Sequence, residues 1–152
     1  MILITGASGN VGREVLRQIA QTGSKVRATF QSASSAANAP SGVEIAIMDY
    51  NKPDSIRAAL KGADRMFLVG PPTQKLPALE RKAMDEIKWS GVRHVVKLSA
   101  MGGRESTFPR QHTDSEDYIK STGVAYTFLR PNGFMQNVVN YNSATINTQN
   151  AF

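Results

Sequence analysis

An α/β fold, a parallel sheet with helices on both faces, is predicted by three features of this 152-residue sequence. Short apolar runs alternate with amphipathic stretches at helical spacing, the pattern left by repeated βαβ units. The first of these runs stops directly in a glycine-rich turn that opens a helix. About six such runs precede Pro131, enough for one complete doubly wound sheet of the Rossmann type. A chain of this length holds one domain with a hydrophobic core, and it contains no internal repeat and no interdomain linker.

The elements follow in order. Met1–Thr5 is a buried strand abutting Gly6. Val11, Val15, Leu16, Ile19 and Ala20 recur at helical spacing, and Thr22-Gly23 ends that helix. Lys25–Phe30 reads as the second strand and Val43–Met48 as the third. Gln31–Gly42 lies between them, rich in Ser and Ala, and leaves room for a short crossover at most. Pro53 suits the first turn of a helix to about Lys61. Asp64–Val69 is the fourth strand, stopped by Gly70-Pro71-Pro72. Leu76, Leu79, Ala83, Met84 and Ile87 mark an amphipathic helix that ends at Ser90-Gly91. Val92–Ser99 is the fifth strand; a loop with Gly102-Gly103 leads to a helix near Thr113–Ser121, and Val124–Arg130 is the sixth strand.

Residues 1–136 thus form the expected nucleotide-binding domain. The segment 137–152 changes character, crowded with Asn137, Asn140, Asn142, Asn147 and Asn150. It reads as the irregular start of a substrate lobe cut short, the alternative being a natural small domain with a loose tail.

Composition narrows the function classes. An apolar fraction of 41% and a charged fraction of 20% describe a soluble globular chain. No apolar run approaches the roughly 20 residues that cross a bilayer, and the N-terminus has no basic leader, so no membrane partner is expected. The absence of cysteine excludes disulfides and thiolate metal sites and suits a reducing cytoplasm. With two histidines, no metal ligand set is expected either. The net charge of +6 would favour any polyanion. Its basic residues are scattered and not interleaved with aromatics, so nucleic acid is not expected.

The chemistry concentrates in the first turn, Gly6-Ala-Ser-Gly9-Asn-Val-Gly12. Unpaired N–H groups and the positive end of a helix dipole converge there on an anion. Gly6 permits the tight turn, Gly9 lets a pyrophosphate approach backbone, and Gly12 lets helix and strand pack closely. The second strand ends in Phe30-Gln31-Ser32, with no acid to bind a ribose 2′-hydroxyl and repel a 2′-phosphate. NADP(H) is therefore favoured, with Ser32, Ser34 and Ser35 able to donate to the phosphate and Arg13 nearby; NAD(H) is the alternative. Asp49-Tyr50 follows the third strand where an adenine would lie, although Asp49 also suits a turn or the cap of the next helix.

Met1-Ile-Leu-Ile-Thr-Gly-Ala-Ser-Gly-Asn-Val-Gly12, Met48-Asp-Tyr50, Phe67-Leu-Val-Gly-Pro-Pro72, Val96-Lys-Leu-Ser-Ala100 and Tyr126-Thr-Phe-Leu-Arg-Pro-Asn-Gly-Phe-Met-Gln-Asn137 occur in order. Together they resemble the NmrA-like branch of the atypical short-chain dehydrogenase/reductases, over essentially the whole chain. That branch includes NAD(P)H-dependent quinone and azo-compound reductases and redox-sensing regulators that bind cofactor without turnover. The resemblance implies cofactor contacts at Gly6, Ser8, Gly9, Asn10, Val11, Gly12, Gln31, Gly70, Pro71 and Ser99. It places Pro131, Gly133 and Phe134 against the nicotinamide or the substrate.

The Tyr-x-x-x-Lys pair of ordinary short-chain dehydrogenases is missing, since Tyr118 is followed four residues on by Thr122. His112-x-x-x-Glu116 stands there instead, an i, i+4 pair on one helix face. His112 could exchange a proton with Glu116 orienting it, or could merely cap the helix that follows. Ser99 could hydrogen-bond a substrate carbonyl or contact cofactor. The expectation is an NAD(P)H-dependent reductase acting on a quinone-like or other electron-poor small molecule. The alternative is an NADP(H)-sensing regulatory protein, with a homodimer or a regulatory protein partner open in either case.

Overall fold

The computed structural model describes residues 1–137 together with Ser143, Ile146 and Thr148. Six parallel strands, β1 (Ile2–Ile4), β2 (Val26–Phe30), β3 (Glu44–Ile47), β4 (Arg65–Leu68), β5 (His94–Leu98) and β6 (Ala125–Leu129), form one sheet in the order β3-β2-β1-β4-β5-β6. This is the doubly wound Rossmann arrangement that the sequence predicts. The strand order reverses between β1 and β4, whose carboxyl ends therefore flank an open crevice.

Period-two alternation decides which side chains face which layer. Leu3, Met66, Leu68 and Val95 point to one face, against Ile56 and Leu60 of α2 (Pro53–Leu60), Met84 and Ile87 of α3 (Leu76–Ile87) and Ile119 of α4 (Thr107–Ser121). Ile4, Ala28, Phe30 and Phe67 point the other way, against Leu16 of α1 (Asn10–Ala20). The Ser- and Ala-rich crossover holds a single 3-10 turn, Ser34–Ala36, whose Ala36 joins this second cluster.

Strand and helix limits agree with the expected ones to within a few residues except at α4, which starts at Thr107 and not near Thr113. Pro109 masks the start in the sequence. In the first helical turn, however, a missing N–H costs nothing, because no carbonyl precedes it to accept. His112 thus lies inside the helix, one turn before Glu116, and is not its cap. The segment 137–152, expected to be irregular, falls mostly outside the described residues; Asn137, Ser143, Ile146 and Thr148 within it have helical backbone.

Candidate functional site

A cleft of about 980 Å³ opens along the carboxyl edge of the sheet, across the point where strand order reverses. Thr5 pins the two central strands together there: its hydroxyl accepts from the Val69 N–H at 2.8 Å and donates to the Val69 carbonyl at 3.1 Å. Gly6 follows with φ +61, and a Cβ at that position would strike Val69 at 3.0 Å. No other residue type satisfies both constraints.

The turn then delivers α1 end-on to the cleft. Gly9 precedes its first residue in extended backbone, with no side-chain cap and no acid in the first turn. The first intrahelical bond runs from the Arg13 N–H to the Gly9 carbonyl at 2.9 Å. The amides of Asn10, Val11 and Gly12 precede it, so they point out of the helix toward the cleft. A Cβ on Gly9 would meet nothing but the Gly6 carbonyl oxygen, at 3.3 Å, so the space in front of it is open. A Cβ on Gly12 would lie 2.2 Å from that oxygen, so this glycine serves the packing of helix on strand. An open backbone face, uncapped amides and a helix dipole without a protein anion fit a pyrophosphate.

Gly6, Ser8, Gly9, Asn10, Val11, Gly12, Gln31, Asp49, Tyr50, Gly70, Pro71, Ser99, His112, Pro131, Gly133 and Phe134, all expected in the site, line this one cleft. Ser32 and Glu116 do not. The Ser32 hydroxyl bonds Ser34 at 2.9 Å and Ser35 at 3.3 Å, closing a local ring with the 3-10 turn. Asp49 lines the cleft and also makes the turn into α2: its carboxylate accepts from the Asn51 N–H at 2.8 Å, and its N–H donates to the Ser55 hydroxyl. The Tyr50 hydroxyl donates to the Val69 carbonyl at 3.3 Å, and burial pushes its phenol above the usual range.

The expected pairing of His112 with Glu116 is corrected by the packing. Glu116 turns to the far strands, where its carboxylate accepts from the Ser99 hydroxyl at 2.5 Å and takes a two-pronged bond from Arg130. Burial opposes the charge of Glu116, but Arg130 and Ser99 outweigh it and hold the carboxyl below its ordinary range. Glu116 therefore ties the ends of β5 and β6 to α4, and its hydrogen bonds go to Ser99 and Arg130 and not to the imidazole. The Ser99 N–H donates to the Leu129 carbonyl at 2.7 Å, and with its hydroxyl proton on Glu116 it meets the cleft as an acceptor alone. With that proton engaged by Glu116, Ser99 donates to no group in the cleft.

The group that does face His112 is one the sequence did not single out. Lys97 and Glu80 are both fully buried, paired at 2.6 Å beneath the layer of α3 and α4. The Ser115 hydroxyl donates to the same Glu80 oxygen. Lys97 lies 3.4 Å from Nδ1 of His112. Burial drives the Lys97 ammonium down from its usual range, and Glu80 works against that fall. Burial and then the neighbouring Lys97 push the His112 imidazole down to about 4, with Glu116 opposing. The ring of Phe108 packs edge-on to it, centroids 4.9 Å apart. Leu76, Leu79, Leu98, Phe108 and Phe134 give this end of the cleft an apolar wall. A signal for Lys97 existed, a charge in the middle of the run Val95-Val-Lys-Leu98. Glu80, on an ordinary amphipathic helix, carried none.

Among the described residues no three His, Asp or Glu side chains are placed to hold a metal ion, and no helix is long and apolar enough to cross a membrane.

Residues 6–151 match the family described as NAD(P)H-binding, and the chain belongs to that family. It is 37% identical over 146 residues to the (4-alkanoyl-5-oxo-2,5-dihydrofuran-3-yl)methyl phosphate reductase of Streptomyces griseus, covering 93% of this chain and 50% of that protein. It is 29% identical to the NAD(P)H azoreductase of Xenophilus azovorans, over 95% of this chain and 52% of the relative. Its fold matches that of the NADPH complex of quinone oxidoreductase QOR2 from Escherichia coli, with a TM-score of 0.88 at 24% identity over 97% of this chain and 54% of the other. The chain spans about half the length of the curated relatives it matches.

Proposed function

We propose that this chain is the cofactor-binding part of an NADP(H)-preferring reductase that delivers hydride to a quinone-like or other electron-poor small molecule. One observation carries the reading: the glycine cradle and an apolar wall beside His112 line one cleft. The amides at the start of α1 hold the pyrophosphate, and Gln31 stands at the end of β2 without an acid beside it. Bound NAD(P)H supplies the hydride. Phe108, Phe134 and Leu98 offer apolar contact to the acceptor, Ser99 accepts from an N–H donor, and His112 donates to an acceptor oxygen. Tyr-x-x-x-Lys is dispensable here, since reducing an electron-poor acceptor depends more on placement of the donor than on a strong acid. The relatives named above, two of them reductases by description, agree with this reading.

Titration calorimetry with NADPH and NADH, followed by a quinone panel read through loss of reduced-nicotinamide absorbance, tests it. Tighter binding of NADPH and its oxidation by at least one quinone are expected. Equal or tighter binding of NADH would remove the NADP(H) preference. Binding without oxidation by any acceptor would replace the reductase with the cofactor-sensing alternative.

A further inference from the structure

Glu80, Lys97 and Ser115 form a charged cluster in the otherwise apolar layer between the sheet and α3–α4. As a source of stability it is a poor choice, because an apolar trio of the same volume in such a place is commonly as stable or more so. Its geometry has another consequence. An ammonium can only donate, so the Lys97 Nζ that lies 3.4 Å from His112 Nδ1 makes that nitrogen an acceptor. The ring's proton then resides on Nε2. Among the described residues Nε2 has no hydrogen-bond partner. Among the described residues Glu80 Oε1 is the buried side-chain oxygen without a partner. His112 lines the cleft, and with Nδ1 turned to Lys97 the opposite edge of its ring is the one a ligand can reach.

We infer that Glu80 and Lys97 are positioning residues that lock His112 in its Nε2–H tautomer and present that N–H to an oxygen of the small molecule in the cleft. His112 then acts as a neutral hydrogen-bond donor to a developing oxyanion, and no proton leaves it for the substrate in the hydride step. Glu80 keeps Lys97 charged, Ser115 fixes the Glu80 oxygen, and Phe108 holds the ring from the other side. Four charged groups bear on the imidazole from the elements around it. Lys97 of β5 touches it, Glu80 of α3 acts through Lys97, Glu116 lies one turn on along α4, and Arg130 after β6 neutralises Glu116. The role assigned to the oxygen rests on the reductase reading; the tautomer lock does not.

Long-range proton–nitrogen NMR correlation spectra of the nitrogen-labelled chain test the lock directly. In the wild type they should show His112 as the Nε2–H tautomer at neutral pH, with a titration midpoint near 4. The double variant Glu80→Gln/Lys97→Met removes both charges and leaves no buried ion unpaired, and circular dichroism verifies that it folds. There His112 should become a mixture of tautomers with its midpoint moved up toward the ordinary histidine value. A wild-type Nδ1–H tautomer, or a double variant with unchanged tautomer and midpoint, overturns the lock. In the quinone assay the double variant should lose at least tenfold in kcat with the NADPH Kd within twofold, and an unchanged kcat overturns the positioning role. Failure of the wild type to oxidise NADPH sinks the reductase reading alone, because the spectra decide the lock without turnover.

Discussion

Gly9 and Gly12 lie three residues apart in one turn, yet opposite consequences are expected when each gains a side chain. A Cβ on Gly12 would sit 2.2 Å from the Gly6 carbonyl oxygen, over an ångström inside ordinary contact, and 2.8 Å from its carbon. Neither atom can rotate away, so α1 must lift from the end of β1. Overpacking costs about 1–3 kcal/mol where side chains yield, and two backbone partners put Gly12→Ala near the upper figure, about 3 kcal/mol. Alanine returns at most about 1 kcal/mol through helix propensity. The net loss of about 2 kcal/mol lowers Tm by about 4–8 °C in a domain of this size. Gly9→Ser should behave otherwise. Position 9 has φ −78 and ψ 168, open to any residue, its Cβ would meet only one oxygen at 3.3 Å, and serine is a favoured N-cap. Its Tm should stay within about 2 °C of wild type, while the NADPH Kd rises roughly tenfold or more through loss of about 1.4 kcal/mol of contact to the pyrophosphate. Thermal melts and calorimetry on the two variants read both effects. Wild-type NADPH affinity in Gly9→Ser would refute the pyrophosphate placement. A wild-type Tm in Gly12→Ala would refute the packing argument.

Three more outcomes follow from the geometry. His112 has its folded pKa pushed down to about 4 from an unfolded value near 6.5, so the unfolded chain binds the extra proton between these limits and its neutral ring stabilises the fold above them. Urea melts should show wild type losing stability between pH 6.5 and 4 more steeply than His112→Asn, and parallel curves would contradict a buried neutral imidazole. Lys97→Ala leaves the Glu80 carboxylate buried without its counter-charge, which costs about 3–5 kcal/mol. The Glu80→Gln/Lys97→Met double variant should recover most of that in the same melts, whereas additive losses would mean the two groups do not act as a pair. Gln31→Asp puts an acid at the end of β2, and calorimetry should show NADPH affinity falling by tenfold or more with NADH affinity kept or improved; equal losses for both would place the 2′-phosphate elsewhere.

Much of the fold is legible locally because the signals are local. The Ile2–Ile4 run, the glycine turn and the spacing of Val11, Val15, Leu16 and Ile19 each dictate their own conformation, and six repetitions leave few topologies. The start of α4 was not legible, because Pro109 breaks a helix interior and suits a helix start equally well, and only the rest of the helix tells which applies.

The site divides on the same line. Its proposed cofactor end depends on backbone: a strand, a glycine with positive φ and a helix N-terminus are consecutive in the chain, so the sequence alone placed the cradle that a dinucleotide would fit. Its acceptor end depends on side chains from β5, α3 and α4, which lie far apart in the chain. The i, i+4 spacing put His112 and Glu116 on one face, but it could not weigh Arg130 and Ser99 as rival partners for Glu116, or bring Lys97 and Glu80 under the ring. Tertiary packing decided that. It buries these groups together, and a buried charge must bond to whichever opposite charge or donor the neighbouring elements supply.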